Sequence, residues 1–308
     1  MVGNFFDAEI EGEWKAVEGS SYYASPLLYK ENGFKEKVHV EKLIKDLTNK
    51  TAIVKTVDKG ISKKRAPLLF NLAELQAECS KRFKISPDET LQVAQDLYER
   101  KLTTYPRTDA RVLSSAVAKE ISKNIRGLRS FEPVAPFVQN IVEHGLYKNI
   151  GKSSYTDDSK ITDHYAIIPT GQVNEYKSLT ELQKRVYELI VRRFLSIFYP
   201  PAQYQTVKLT IGIEKESFFA GAKVLKVPGY LEVARRPDTK EKREKEDGDG
   251  EENNPKNSAA LLKLADSLKE GDTAEVKEFL VKEGKTSPPK RYTSGSMVLA
   301  MENAGQLI

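Results

Sequence analysis

The hydrophobic period of this 308-residue chain changes twice along its length. Near the N-terminus Phe6, Ala8 and Ile10 alternate with acidic residues, which is the two-residue period of a half-buried strand. From Ala66 onwards apolar residues recur every three or four positions, as in amphipathic helices, and beyond position 200 the alternation returns. This order predicts an α+β multidomain protein in which a helical domain is inserted into a discontinuous β-rich domain.

The same changes of period predict the domain boundaries. We expect a β-rich domain at 1–65 and 200–292, a helical domain at 66–199, and the truncated start of a following helical domain at 293–308. The chain enters a strand pattern almost at once and stops inside a helical pattern that has no C-cap signal. It is therefore expected to be a fragment of a longer protein.

Period and capping signals place the individual elements. Predicted strands lie at 5–10, 14–17, 51–57, 207–213, 218–227 and 274–282. Predicted helices lie at 40–47, 72–83, 87–99 and 115–127, and a long one starts at a capping box formed by Ser178 and Glu181. The segment 235–256 is dense in charge and is expected to be a mobile surface loop.

Composition excludes several classes of function. A net charge of +5 permits nucleic-acid binding without requiring it. The single cysteine, Cys79, excludes an internal disulfide and a cysteine-based zinc site. No apolar run is long enough to span a membrane and no signal-like N-terminus is present, so a cytoplasmic protein without a membrane partner is expected.

The run Leu102-Thr-Thr-Tyr-Pro-Arg-Thr-Asp-Ala-Arg111 places one tyrosine just after a predicted helix. Pro106 biases Tyr105 towards an extended conformation, so the phenol should project from a braced loop. A tyrosine oxygen can attack phosphorus and split strand breakage and rejoining into two steps. Arg107 can hold the phosphate through its planar guanidinium, and Arg111 could add a backbone contact. The loop makes a DNA-cleaving enzyme the first hypothesis.

A second segment, Ile161-Thr-Asp-His-Tyr-Ala-Ile-Ile-Pro-Thr170, carries one of the three histidines. His164 precedes an apolar run, so we expect it at the edge of a buried segment. There it could hydrogen-bond a phosphate or move a proton. His39 and His144 lie in ordinary amphipathic contexts and are interpreted as structural.

Three stretches together resemble the type IA DNA topoisomerases, most closely the bacterial topoisomerase III branch. They are the segment from Leu97 to Asp109, the run His164-Tyr-Ala-Ile-Ile-Pro-Thr170, and Pro288-Pro-Lys-Arg-Tyr-Thr293 with the residues that follow it. The match covers essentially the whole chain in the family's order. It implies a torus in which the helical domain carries the tyrosine and the β-rich domain forms the arch.

The resemblance also implies roles at the matching positions. Tyr105 would be the nucleophile that links to a 5′ phosphate of single-stranded DNA, and Arg107 and His164 would contact the scissile phosphate. Thr108, Asp109 and Arg111 would shape the strand-binding surface. The protein would be DNA-associated, monomeric and independent of ATP, and would relax or decatenate DNA. Two positions depart mildly from the family pattern, since Ala110 and Tyr165 stand where serine and histidine are common.

The family's acidic metal site is not matched. It belongs to a toprim domain, and no such pattern precedes Met1 in this chain. The run Asp247-Gly-Asp-Gly-Glu-Glu252 fits an Asp-x-Asp-x-x-Glu pattern, but no strand precedes it to fix carboxylates at Mg²⁺ geometry. We therefore assign no metal ligand here, expect Mg²⁺ in the missing toprim domain, and expect the fragment alone to be inactive.

Three other interpretations stay open. A rolling-circle nuclease or relaxase would also use Tyr105, but it needs a histidine cluster that three scattered histidines do not offer. A non-catalytic module for single-stranded DNA needs only a basic groove with aromatic side chains. A structural domain without DNA contact would be excluded by salt-sensitive binding to single strands. Substitution of Tyr105 by Phe separates the first two classes.

Overall fold

The computed structural model describes residues 1–5, 8–234, 255–264 and 266–304. Its strands, in chain order, are β1 (Val2–Phe5), β2 (Ala8–Glu11), β3 (Glu13–Lys15), β4 (Leu28–Lys30), β5 (Gly33–Phe34), β6 (Ala52–Lys64), β7 (Ala202–Ile213), β8 (Glu216–Val227) and β9 (Thr273–Glu278). The α-helices are α1 (Lys37–Leu47), α2 (Leu72–Phe83), α3 (Pro87–Glu99), α4 (Ser115–Gly127), α5 (Ala135–Glu143), α6 (Glu181–Ser196), α7 (Leu231–Ala234), α8 (Pro255–Leu264) and α9 (Ser294–Glu302). Short 3₁₀ helices occupy Leu128–Ser130, Glu132–Val134, Ile150–Lys152, Asp158–Lys160 and Asn174–Ser178.

The chain forms two compact units. One, the β-rich unit, takes in Met1–Lys63, Gln203–Val227 and the described part of Glu241–Ser287. The other, the helical unit, takes in Lys64–Ala202 together with the described parts of Pro228–Lys240 and Pro288–Ile308. The α+β class and the helical insertion between two β-rich stretches are confirmed. The predicted domain boundaries stay a prediction.

A large sheet organises the β-rich unit. Its strand order is β2-β1-β9-β6-β7-β8-β3, and β4 and β5 form a separate hairpin. The long β7–β8 hairpin is antiparallel, with Val207 opposite Ala222 and Ile211 opposite Phe218. These side chains and Leu43 of α1 belong to one buried apolar cluster. The alternation that predicted β7 from the sequence is therefore the pattern of a sheet with one face on a core.

Side-chain caps start several helices of the helical unit. Ser86 accepts a hydrogen bond from the backbone of Glu89 at 3.1 Å, with Pro87 in the first turn of α3. Ser114 caps α4 in the same way, through the backbone of Val117. The apolar stripes of α2, α3, α4 and α6 then pack inwards, with Leu75, Leu97, Ile121, Ile125, Val186, Ile190 and Phe194 nearly or fully inaccessible to solvent.

Several predicted bounds were wrong. The capping box of α6 lies two residues after the predicted one: Thr180 and Gln183 form it, because Ser178 instead donates to the carbonyl of Glu175 at 2.8 Å within a 3₁₀ helix. Strand β6 extends to Lys64 rather than 57, whereas β9 ends at Glu278 and not at 282. Most of the predicted loop at 235–256, with the acidic run 247–252, lies outside the described residues, although Pro255 already begins α8.

No α-helix within the described ranges is long and apolar enough to cross a membrane.

Candidate active site

The tyrosine segment is positioned by the end of α3. Helix α3 ends at Glu99, and Lys101 then adopts a left-handed conformation with φ of 60°. This turn lets the backbone N–H of Leu102 bond the carbonyl of Leu97 at 2.9 Å, so the chain reverses against its own helix. Leu102 is fully buried and Pro106 is also buried, which anchors the loop on either side of the half-buried Tyr105.

Hydrogen bonds join the two sequence motifs. The backbone N–H of Thr104 donates to the carbonyl of Ile168 at 2.9 Å, while the Thr104 hydroxyl donates to the carbonyl of Ala166 at 3.0 Å. The buried hydroxyl of Thr108 donates to the carbonyl of His164 at 2.6 Å. Because these partners are about 60 residues apart, the pairing fixes one motif against the other.

Two side chains flank the Tyr105 ring. The ring of Tyr98 makes an edge contact at a centroid distance of 5.4 Å, and the imidazole of His164 lies at 4.5 Å. Within the described residues the Tyr105 hydroxyl has no hydrogen-bond partner. The ring is thus held by its sides, and its polar end is left open for a ligand.

A cleft of about 450 Å³ opens beside this pair. Its lining combines apolar, cationic, acidic and uncharged polar side chains: Leu72, Ala73, Gln76, Arg107, Thr108, Asp109, Thr162, Asp163, His164 and Glu302. Both sequence motifs contribute to it, together with the start of α2 and the end of α9. The sequence-predicted residues Arg107, Thr108, Asp109 and His164 therefore come together at one site.

Arg107 and Arg111 differ in what they contact. The exposed Arg107 makes no hydrogen bond or ion pair with any other described residue, so its guanidinium can take an anion without first breaking a contact. The guanidinium of Arg111 instead pairs with Glu74 at 2.8 Å and reaches the carbonyl of Leu69 at 3.4 Å. Arg111 does not line the cleft, and its visible contacts brace the loop from within the protein.

Asn71 is a site residue that functional reading of the sequence missed. Its side-chain oxygen caps α2 by accepting from the backbone of Glu74 at 2.9 Å, as the capping-box spacing indicated. Its amide nitrogen also donates to the carbonyl of Asp109 at 3.1 Å and to the carboxylate of Glu302 at 2.5 Å. Asn71 thus joins the tyrosine loop to α9. Glu302 lies 231 positions away in sequence, so no local pattern could have indicated this contact.

A half-buried cation, Arg193, supports the segment that precedes α2. The guanidinium of Arg193 donates to the carbonyl of Leu68 at 2.9 Å and lies 4.0 Å from the ring centroid of Phe70. The carbonyl of Phe70 in turn accepts from the backbone of Ile167, in the histidine motif. Burial lowers the pKa of Arg193, and burial raises the pKa of Tyr165, so the Tyr165 phenol keeps its proton at neutral pH.

No group of three or more histidine, cysteine or acidic side chains in the described parts of the chain is arranged to hold a metal ion. Of the acidic residues in the cleft, Asp109 accepts from the hydroxyl of Thr162 at 3.2 Å and Glu302 is bonded by Asn71. These residues do not fit a Mg²⁺ site.

Comparison with known proteins gives matches over nearly the whole chain. A family model described as DNA topoisomerase matches residues 8–305. DNA topoisomerase 3 of Bacillus subtilis (strain 168) is 35% identical over 263 residues, which are 85% of this chain and 34% of that protein. DNA topoisomerase 3 of Bacillus licheniformis is 37% identical over 258 residues, 83% of this chain and 33% of that protein. The chain spans about a third of the length of these relatives.

Among solved structures, full-length topoisomerase I from Thermotoga maritima in a monoclinic crystal form matches 99% of this chain and 43% of that chain. The TM-score is 0.58 and the sequence identity is 22%, a likeness that concerns the fold alone.

Proposed function

The chain belongs to the type IA DNA topoisomerase family, in its topoisomerase III branch, and we propose that Tyr105 is the nucleophile with which it cleaves single-stranded DNA. The observation that supports this most is the meeting of two distant motifs around one cleft. Tyr105 contacts His164, and His164 and Arg107 line the cleft together. A phenol can act as the nucleophile on a phosphodiester, an imidazole can move a proton, and a guanidinium that contacts no other described residue can stabilise the phosphate charge.

The proposed step is a transesterification. The Tyr105 oxygen forms a bond to phosphorus while the bond from phosphorus to O3′ breaks, so the 5′ phosphate stays on the protein. The phenolic proton is released during attack, and O3′ takes up a proton to leave as a hydroxyl. Religation reverses both transfers. The phosphodiester bond energy is kept in the tyrosine ester, so no ATP is needed.

The residues of this chain have separate parts in that step. The guanidinium of Arg107 would hold two phosphate oxygens and stabilise the charge that develops on them. His164, fixed through its backbone by Thr108, would donate a hydrogen bond to the phosphate or move the phenolic proton. Asp109, held by Thr162 and Asn71, would keep the loop in place for the strand.

We further propose that Mg²⁺ is bound by a toprim domain outside this chain. Phosphoryl transfer depends mainly on positioning the reacting groups and on stabilising the developing charge. This chain supplies the nucleophile and only part of the positive charge that is needed. By itself it should cleave DNA poorly or not at all. Relaxation or decatenation of DNA would belong to the whole protein.

Covalent trapping tests the proposal. The chain, produced with the coding region upstream of Met1, is here called the extended protein. It would be mixed with labelled single-stranded DNA and Mg²⁺ and quenched with denaturant. We expect a protein–DNA adduct that Tyr105→Phe abolishes. The matched control is Tyr98→Phe, because Tyr98 is exposed and touches the Tyr105 ring; that variant should still form the adduct.

Three results would contradict these proposals. An adduct that survives Tyr105→Phe would assign the chemistry to another residue. Salt-sensitive binding without any adduct would favour a non-catalytic module for single-stranded DNA. Efficient Mg²⁺-dependent relaxation by the 308 residues alone would show that this chain holds its own metal site.

A further inference from the structure

The sheet of the β-rich unit has a second face that carries lysines and aromatic rings. In the β7–β8 hairpin Thr206 pairs with Lys223, Lys208 with Gly221 and Thr210 with Phe219. Residues that are directly paired across two strands lie on the same face of a sheet. In both strands the residues between these pairs, such as Val207 and Ala222, belong to the buried core. These pairs therefore project away from that core. We call this surface the lysine face; it comprises Lys15, Lys55, Tyr204, Lys208, Phe219 and Lys223.

Its cations are placed beside aromatic rings. The ammonium of Lys223 lies 4.9 Å from the ring centroid of Tyr204, and that of Lys15 lies 5.7 Å from that of Phe219. Both rings are partly exposed. Contacts of this kind keep a ring and a positive charge together at the surface, where both are available to a ligand.

The remaining lysines of this face have a glycine as a neighbour. The exposed side chain of Lys55 runs across Gly212, where a Cβ atom would collide with Lys55 Cε, and its ammonium donates to the hydroxyl of Ser217 at 3.2 Å. Lys208 is exposed and faces Gly221. Gly221 therefore adds no side chain beside Lys208, whereas the space over Gly212 is covered by Lys55.

The charges at the margins of this face are mixed. Glu13 lies opposite Phe219 at the edge of the face, and its carboxylate accepts a hydrogen bond from Asn32 at 2.9 Å. Beyond Tyr204 a cleft of about 360 Å³ is lined by Lys59, Gly60, Ile61, Gln203, Tyr204, Gln205 and Lys226. Lys59 there pairs with the exposed Asp266 at 3.1 Å.

We propose that the lysine face binds a segment of single-stranded DNA, as a contact separate from the Tyr105 site. Lysines would take phosphates, and the rings of Tyr204 and Phe219 would stack with bases. Single strands fit better than duplex, because paired bases do not expose their faces to such rings. An acidic protein segment would use the charges but gain little from the stacking geometry.

The test compares two double variants of this chain in binding a labelled oligothymidine. Lys208→Gln with Lys223→Gln removes two charges from the lysine face. Lys42→Gln with Lys45→Gln removes two from exposed positions of α1 in the same unit. We expect the first pair to weaken binding about tenfold at low salt and to reduce the salt slope by roughly 1.4, since each neutralised phosphate contributes about 0.7. The α1 pair should bind as the parent chain does.

Two more variants make the assignment specific. Tyr204→Leu keeps every charge but removes a stacking surface, and should weaken binding to single strands about fivefold while leaving duplex binding unchanged. Lys208→Gln alone is a variant that should fold normally, because Lys208 is exposed and lies opposite a glycine. Photocrosslinking with 5-iodouracil in the oligonucleotide should label Tyr204 or Phe219.

Equal affinities for the two double variants would overturn the proposal. The proposal would also fail if the Lys208→Gln/Lys223→Gln variant lost equal affinity for single strands and for duplex while Tyr204→Leu bound both as the parent chain does. The face would then be a general cationic surface. The proposal that Tyr105 is the nucleophile is tested separately, by formation of the covalent adduct. A chain that binds through the lysine face but forms no adduct would retain this inference and lose the other.

Discussion

The imidazole of His164 lies against the ring of Tyr105, with centroids 4.5 Å apart and planes inclined by 45°. The contact joins residues of two motifs separated by 59 positions, and hydrogen bonds between the same two segments support it. The exposed edge of the imidazole faces the cleft that Arg107 also lines. A phosphate bound by Arg107 would therefore have a phenol and an imidazole close to it.

His164→Ala should reduce adduct formation by the extended protein about 100-fold, because it removes the hydrogen bond or proton transfer at the phosphate. Binding of single-stranded DNA should change little. The measurement is the yield of trapped adduct with time. His144→Ala is the control, since His144 is an exposed histidine at the end of α5 in the same unit. Unchanged adduct formation by His164→Ala would remove His164 from the mechanism.

Local signals explain which parts of the fold could be predicted. The cap at Ser86 and the stop at Gly127 depend on a few neighbouring residues, and the helices begin or end there as predicted. The extended position of Tyr105 follows from Pro106, which is also local. Two hydroxyls could cap the start of α6. Sequence spacing indicated Ser178, but the Gln183 amide donates a hydrogen bond to Asp96, which favours the cap at Thr180.

Non-local contacts explain what could not be predicted. The order of strands in the large sheet places β9 between β1 and β6, and nothing in the sequence period specifies neighbours so far apart. The same holds for the site. Two sequence motifs were enough to predict which residue types line the site. The contacts of Asn71 with Asp109 and Glu302 depend on how the chain folds back, and so does the contact of Arg111 with Glu74.

Thr108→Val should destabilise the helical unit by about 1–3 kcal/mol. The Thr108 hydroxyl is buried, donates to the carbonyl of His164 at 2.6 Å and accepts from the backbone of Ala110 at 3.1 Å. Valine keeps the shape but leaves both groups unsatisfied. The free energy of unfolding in urea measures the loss. Thr108→Ser retains the hydroxyl and should recover most of the stability, and an equally unstable Ser variant would show that the methyl group is what matters.

Gly171→Ala should also be destabilising, by about 1–3 kcal/mol. Gly171 follows the histidine motif with φ of +92°, and a Cβ atom there would lie 2.9 Å from the carbonyl oxygen of Asn124 in α4. Gly151→Ala is the matched control, because a Cβ at that position meets only the side chain of Ala118, at 3.9 Å. Melting temperatures of the two variants provide the comparison. A Gly171→Ala chain as stable as Gly151→Ala would contradict the close packing of the motif against α4.

Cys79 should make the stability of the helical unit fall in alkaline solution. Burial raises the pKa of this thiol to about 12, whereas a thiol in an unfolded chain titrates near ~8.5. Below about pH 8 both states hold the proton, so the stabilisation is complete. As the pH rises above ~8.5 the unfolded state releases its proton and the folded state does not, which favours unfolding by about 1.4 kcal/mol per pH unit.

Cys79→Ala isolates that contribution from the tyrosines whose pKa burial also raises, which are Tyr155, Tyr165, Tyr187 and Tyr199. Between pH 8.5 and 10 the parent chain should lose about 2 kcal/mol more stability than the variant, measured by urea unfolding at several pH values. The variant should start from a lower stability at pH 7, because it leaves a small cavity in the core. Parallel pH profiles for the two chains would mean that the Cys79 thiol ionises as readily in the folded state as in the unfolded one.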